Sequence, residues 1–354
     1  MKILHRHIAE TVLMSTLLVL IVLLALYSFM DFINELDEYG RGSYGLTEIA
    51  TYLALTMPKR IYNLFPIAAL LGSVIGLGTL ASQSELVAMR AAGISIQKIN
   101  KAVAVIALSL MMLSFFIGEV IQPVAEEKAQ TSRSVAQTGI IGMQSFYGFW
   151  TRDNLHFNHI NRILDNGRLE GVTIYEFDPE NRLRVLTKAK EAVYQNDEWL
   201  LTDVIQSIIN ERGIEVQVIK RALWHSPLNP AIANIVILDP EFLSGWELYK
   251  YISYLKENEQ SAEKYQIAFW AKIMMPINTA VMVFLAVPFV FGPLRSSSIG
   301  GRIVAGALVG ISFQLFNQTF QHIGLVFGVF PWLVAMIPTL VFSVLAWYFM
   351  RKIY

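Results

Sequence analysis

Cysteine is absent from the 354 residues. That excludes disulfides, thiolate catalysis and thiolate metal ligation, without fixing a compartment, since many envelope proteins do without disulfides. Net charge is absent too: 28 Lys and Arg balance 28 Asp and Glu, so no overall field draws nucleic acid. Charged residues of either sign are scarce, at 16%. The motifs of energy conversion and hydrolysis are also missing. There is no Gly-x-x-x-x-Gly-Lys-Ser/Thr phosphate loop and no dinucleotide fingerprint, no Gly-x-Ser-x-Gly elbow and no His-Glu-x-x-His helix. No strong acid, base or metal cluster interrupts the apolar runs, which argues against an ion-coupled pump. His156 and His159, three apart on an extended chain, point to opposite faces, and no carboxylate spacing completes a metal site. The chain reads as a non-enzymatic membrane part that borrows its energy.

Apolar sequence is what the chain has in excess: 54% hydrophobic residues and a mean hydropathy of +0.46, beyond an ordinary soluble protein. Six runs are long enough, or nearly so, to cross about 30 Å of hydrocarbon. They are Thr11–Met30, Ile61–Leu80, Ala102–Gly118, Ile273–Phe291, Ile303–Phe320 and Pro331–Met350. The first is not expected to be a signal peptide, because no small-residue cleavage site follows it. Lys2 and Arg6 precede it and Asp31, Glu35, Asp37 and Glu38 follow; Arg351 and Lys352 close the sixth. Positive-inside bias then puts both termini in the cytoplasm. Gly72-Ser73-Val74-Ile75-Gly76 and Gly306-Ala307-Leu308-Val309-Gly310 are small-xxx-small faces that let a neighbouring helix approach closely. Lys59 and Arg60 sit at an outer span end against the charge rule. They read either as snorkelling anchors or as a paired cationic contact for an anionic ligand.

Between the third and fourth runs the character changes. A polar helical segment, Val124–Gln137, leads into alternating stretches at Gly171–Phe177, Leu183–Tyr194, Trp199–Asn210 and Ile214–Leu223. Asn166-Gly167, Asp178-Pro179-Glu180-Asn181, Gln195-Asn196-Asp197 and Glu211-Arg212-Gly213 separate them as turns. Strands at this spacing predict an all-β sandwich or open barrel. Ser244-Gly245-Trp246-Glu247 is a capping box opening a helix back to the membrane.

Ser82–Gly93 lies between the second and third runs and is too polar for lipid. Ser82 with Glu85 reads as a capping box. Leu86 and Met89 share a side with Gly93, which can act as a left-handed stop. The segment reads as a short surface helix able to pass a push into the bilayer, or as a mere connecting turn.

Ser84-Glu85-Leu86-Val87-Ala88-Met89 with Ala92-Gly93, Phe291-Gly292-Pro293-Leu294-Arg295, and Tyr254-Leu255-Lys256 with Tyr265, Trp270 and Lys272 resemble the lipopolysaccharide export permeases of the LptF/LptG family. The wording is closer to its G-type subunit, and the likeness covers essentially the whole chain. The resemblance implies a membrane α-helical fold of six transmembrane helices plus an all-β periplasmic jellyroll-like domain. Its divisions fall at 1–121 (spans one to three with the 82–93 coupling helix), 122–264 (the β domain with flanking helices) and 265–354 (spans four to six). It implies an inner-membrane location and a lateral cavity facing the outer leaflet. The implied partners are an LptF-type permease, a dimeric LptB-type ATPase, an LptC-type single-span protein and lipopolysaccharide, with no nucleic acid. No cofactor is expected, ATP being bound by the partner.

The resemblance also implies site residues. Glu85 matches the family's acidic contact to the ATPase, with Ser84, Leu86, Met89 and Arg90 beside it. Lys59 and Arg133 match basic positions that hold lipid A phosphates, with Arg60 and Arg41 as further candidates. Phe29, Phe32, Phe65, Phe313, Phe316, Asn317 and Phe320 are expected to line the cavity. This sequence departs from the family just after the first span. Lysines are common there, but here the stretch carries Asp31, Asp37 and Glu38, with only Arg41 basic. The rival readings are a membrane-anchored envelope scaffold or signalling protein, and a permease for another envelope lipid.

Overall fold

The computed structural model describes residues 2–93, 95–138, 148–153, 156–164, 167–180, 182–210, 213–226, 228–230, 232–233, 239–291 and 299–352. The chain forms two compact units, one of residues 1–34, 56–125 and 266–354 and the other of 35–55 and 126–265.

Six helices are apolar and long enough to cross a membrane among the described residues. They belong to α1 (Lys2–Leu36), α2 (Leu46–Ser82), α4 (Ile96–Phe116) with α5 (Gln122–Thr138), α7 (Glu263–Phe291), α8 (Ile299–Phe327) and α9 (Pro331–Arg351). The short α3 (Glu85–Ala91) joins α2 to α4, and α6 (Gly245–Glu257) precedes α7. Each helix outruns the apolar run that marks it, because helices continue through polar end turns. The third differs most. Ala102–Gly118 suggests a short span with a separate polar helix after it. Instead α4, a π-helical turn at Ile117–Ile121 and α5 follow one another without a break, over Lys98–Gln137. At that turn Gly118 lies under the Tyr62 ring, where a side chain would collide.

In the bundle unit α2 is the hub: 78% of its apolar window is buried, against 22% in α1 and 17% in α8. Its glycines explain how. A Cβ on Gly72 would land on the Thr16 backbone, and one on Gly76 would come within 2.8 Å of Val12 Cα, so this face seats α1. Gly306 and Gly310 of α8 lie against Leu71, Val74, Ile67 and Leu70 of α2, at 3.1 Å and 3.3 Å for a built Cβ. Both small-xxx-small faces therefore act as close helix contacts within the chain. The helix α2 runs uninterrupted through Pro58 and Pro66. The core is continuous from Ile8, Val12 and Val19 of α1, through Phe65, Ala68 and Leu77 of α2, to Ile99, Val103 and Ile106 of α4 and Val283 and Val287 of α7.

The second unit holds six antiparallel strands, β1 (Phe149–Asp153), β2 (His156–Ile163), β3 (Leu169–Phe177), β4 (Leu183–Gln195), β5 (Glu198–Asn210) and β6 (Gly213–Trp224). Among the described residues they form one sheet in the order β1-β2-β3-β4-β5-β6, a meander. The last four match the alternating stretches of the sequence within two residues. The first two escape it because Arg152, Asp153, His156, Asn158, His159 and Arg162 mask the alternation. Asn196 and Asp197 both have positive φ, +52° and +64°, between the paired Gln195 and Glu198, a two-residue hairpin of the primed kind. Asn166, Asn181, Glu211 and Arg212 of the other expected turns lie outside the described residues. Trp199 is fully buried at the centre of the sheet's core with Ile160, Leu169 and Val172, and its indole N–H donates to the Leu228 carbonyl at 2.6 Å. The capping box at the start of α6 is formed: the Ser244 hydroxyl accepts from the Glu247 N–H at 3.2 Å, and the Glu247 carboxylate accepts from the Ser244 N–H at 2.7 Å.

Candidate functional site

The Ser82–Gly93 stretch, the expected coupling segment, lies in the bundle unit. The expected capping box is not made: Ser82 is the last residue of α2, and its hydroxyl donates to the Thr79 carbonyl. Ser84 supplies the turn instead, at φ +61°, and α3 begins at Glu85. Gly93 at φ +84° provides the left-handed stop that its position predicts. Leu86 (3% exposed) and Met89 (8% exposed) are sunk in the bundle core, so the helix is anchored by its apolar side. Ser84, Ala88, Ala91 and Ala92 are exposed, a small-residue surface open to close approach. The side chains of Val87 and Arg90 lie outside the described residues. The Glu85 carboxylate meets His7 Nε2 of α1 at 2.8 Å. Sequence reasoning missed His7, and nothing in its spacing marks a contact with a residue so distant in the chain.

The expected headgroup cations fall in both units. In the bundle unit, Arg60 Nε lies 2.6 Å from the Asp31 carboxylate, its side chain nearly buried, and Lys59 is half-buried. In the second unit, Arg133 forms a two-pronged pair with Glu35: its Nε donates to Oε2 at 3.1 Å, and its Nη2 lies 3.1 Å from Oε1. The Tyr44 hydroxyl donates to the same Oε2 at 2.8 Å, and the guanidinium stands 5.2 Å from the Tyr52 ring centre. Glu35 and Tyr44 are buried. Burial first, then the bond to Glu35, push the Tyr44 hydroxyl well above the usual tyrosine range. Arg41, exposed, pairs with Glu38 at 2.6 Å, and Gln137 donates to the same Glu38 oxygen at 3.3 Å.

The loop that presents Tyr44 is itself pinned. The Ser43 N–H donates to the Ala136 carbonyl near the end of α5 at 2.8 Å. Gly42, at φ +60°, leaves no room for a Cβ against Ala136 and Gln137.

Arg60, Arg133 and Arg41 thus each face a carboxylate of the acidic stretch after the first apolar run. The sequence carried half of this signal, as the cluster of carboxylates Asp31, Glu35, Asp37 and Glu38 that follows the first apolar run.

Of the expected cavity residues, Phe65 and Phe313 are built into the bundle core. Phe316 and Phe320 are half-buried with ring centres 4.6 Å apart, and Asn317 lies beside them, half-buried. Phe29 is 63% exposed and Phe32 half-buried. Gly292 to Arg295 of the Phe291–Arg295 turn lie outside the described residues. Among the described residues no group of His, Asp and Glu is placed to hold a metal.

Residues 6–352 match the family described as "Lipopolysaccharide export system permease LptF/LptG". The chain is 36% identical over 351 residues to the "Lipopolysaccharide export system permease protein LptG" of Haemophilus influenzae, covering 99% of this chain and 98% of the relative. It is 34% identical over 354 residues to the protein of the same name from Escherichia coli strain K12, again covering 99% and 98%.

Proposed function

The chain belongs to the LptF/LptG family of lipopolysaccharide export permeases, and from that premise we propose how it works within the export system. It is a multi-pass inner-membrane permease subunit, non-catalytic, acting with other subunits. The β domain is the family's jellyroll-like domain, inserted between spans three and four on the periplasmic side with both termini cytoplasmic. An LptF-type permease completes the lateral cavity, an LptB-type ATPase dimer drives it from the cytoplasm, and an LptC-type protein joins at the membrane. The division at 1–121, 122–264 and 265–354 assigns conduit, periplasmic delivery and conduit.

The energetics make a driven conduit necessary. Carrying several acyl chains of about a dozen carbons bare through water would cost on the order of 50 kcal/mol, at about 0.8 kcal/mol per CH₂. A continuous apolar wall lowers that cost, and repeated external work supplies the rest. α1 and α8 leave most of their apolar surface uncovered within the chain, which suits a partner permease and a lipid cargo. Phe29, Phe32, Phe316, Asn317 and Phe320 contribute to that wall, with Phe65 and Phe313 backing it. Lys59 and Arg60 of the bundle unit are candidate phosphate contacts, as are, separately, Arg41 and Arg133 of the second unit.

The observation that carries the drive mechanism is α3. Its Leu86 and Met89 are buried in the bundle core while Glu85 stands partly exposed at its start, so a push on α3 is transmitted rather than absorbed. The test is isolation of the tagged protein from native membranes. A nucleotide-binding subunit should co-purify, and Glu85→Lys should remove it. Retention of that subunit and of export in the Glu85→Lys variant refutes the assignment.

A further inference from the structure

We propose that Glu35 is a built-in competitor for Arg133, and that this competition selects lipids bearing phosphate monoesters over the phosphodiester lipids of the surrounding bilayer. The inference rests on the reading above that Arg133 meets the cargo headgroup. The geometry points to it in three ways. First, Glu35 engages Nε and Nη2 of Arg133 together, which is the edge a tetrahedral phosphate would take two-pronged. Second, the pair is enclosed: the side chains are 11% and 16% exposed, for Glu35 and Arg133. Tyr44 holds the carboxylate in place from the other side. Third, the neighbouring carboxylate, Glu38, is already engaged by Arg41 and Gln137, so it offers Arg133 no ready substitute.

An anion reaching Arg133 must displace or share with Glu35. Parting an enclosed ion pair leaves the freed carboxylate costly, so the entering group must bring more than the one charge it replaces. A phosphate monoester carries about −1.5 to −2 at neutral pH. A bilayer phosphodiester carries one charge, and gains nothing over the carboxylate already there. A bare arginine at the same place would hold either lipid, and the phosphodiesters are in large excess. Glu35 therefore sets a threshold. Tyr44 is a positioning residue that keeps the carboxylate on station.

The test uses the assembled export complex in nanodiscs containing phosphatidylglycerol and a diphosphorylated lipid A. A photo-crosslinker replaces Ala136, one helical turn from Arg133 and engaged by Ser43 only through its backbone carbonyl, in every arm. The expected result is a wild-type preference for lipid A. Glu35→Gln should raise phosphatidylglycerol crosslinks threefold or more and flatten the preference, and Arg133→Gln should lower both lipids. If Glu35→Gln falls in step with Arg133→Gln, the carboxylate only steadies the arginine and the proposal is overturned. If Glu35→Gln matches wild type while Arg133→Gln loses crosslinks, the competition is overturned and Arg133 stays a headgroup contact. If Arg133→Gln changes nothing, the headgroup reading fails and takes the proposal with it. A competition with Glu35 and Arg133 both intact needs no variant beyond the crosslinker itself. Lipid A whose phosphates are capped as methyl phosphodiesters should crosslink at least threefold less than the uncapped form. Equal crosslinking overturns the proposal.

Discussion

At the scale of single residues the chain is governed by where its few charges find partners. Arg60 with Asp31, Arg133 with Glu35, and Arg41 with Glu38 are long-range or loop pairings that sequence spacing does not reveal. What the sequence does reveal is the excess of carboxylates after the first apolar run, and the structure shows that Asp31, Glu35 and Glu38 each pair with an arginine. Tyr44 reports on this arrangement. Its folded pKa is raised above the unfolded value of about 10, so its contribution to stability is fully present below that pH. It is lost as pH climbs through the higher folded value. Thermal unfolding of wild type and Tyr44→Phe should therefore show a constant gap up to about pH 10 and a narrowing gap above it. A gap independent of pH throughout would contradict the burial, and with it the bond to Glu35, that together raise the Tyr44 hydroxyl. His7 makes a second prediction. It meets the Glu85 carboxylate from α1, so His7→Ala should weaken co-purification of the nucleotide-binding subunit without abolishing it. Glu85→Lys should abolish it. Quantitative pull-down separates the two.

At the scale of elements, small residues decide the bundle. The spacing of Gly72 and Gly76 was legible as a close-contact face, but not which helix it meets; only the structure assigns it to α1. Gly72→Val should force α1 off α2, an overpacking cost of about 1–3 kcal/mol. It should appear as a lower unfolding temperature of the detergent-solubilised protein, whereas Gly78→Ala, on the same helix with only the Arg302 guanidinium 3.4 Å from a built Cβ, should not. In the second unit the sheet rests on Trp199. Trp199→Ala should cost about 3–5 kcal/mol and expose the β unit to protease in intact spheroplasts while leaving the spans in the membrane. The four C-terminal strands were legible because their alternation is clean. The first two were not, because polar side chains occupy positions such as the fully buried Asn158, where an apolar residue would have marked the pattern. The Ser82 capping box was expected from spacing alone. It failed because α2 continues to Ser82 and the turn is taken by Ser84, whose positive φ no simple rule assigns to serine.

At the scale of the whole molecule, composition and hydropathy were enough to find six apolar helices and an inserted β domain, since both patterns are long and repeated. The candidate site was legible only as residue types, because pairings such as Arg60 with Asp31 and Arg133 with Glu35 join residues that spacing does not connect. The central claim is that this polypeptide is the passive, force-transmitting part of a lipid extractor, with α3 as its lever and no energy source of its own. The most direct test is reconstitution of the chain with its partner permease in proteoliposomes loaded with lipopolysaccharide, with and without the nucleotide-binding subunit, measuring lipid transferred to a soluble periplasmic acceptor. The account predicts transfer only when that subunit and ATP are both present. Equal transfer in its absence would contradict it.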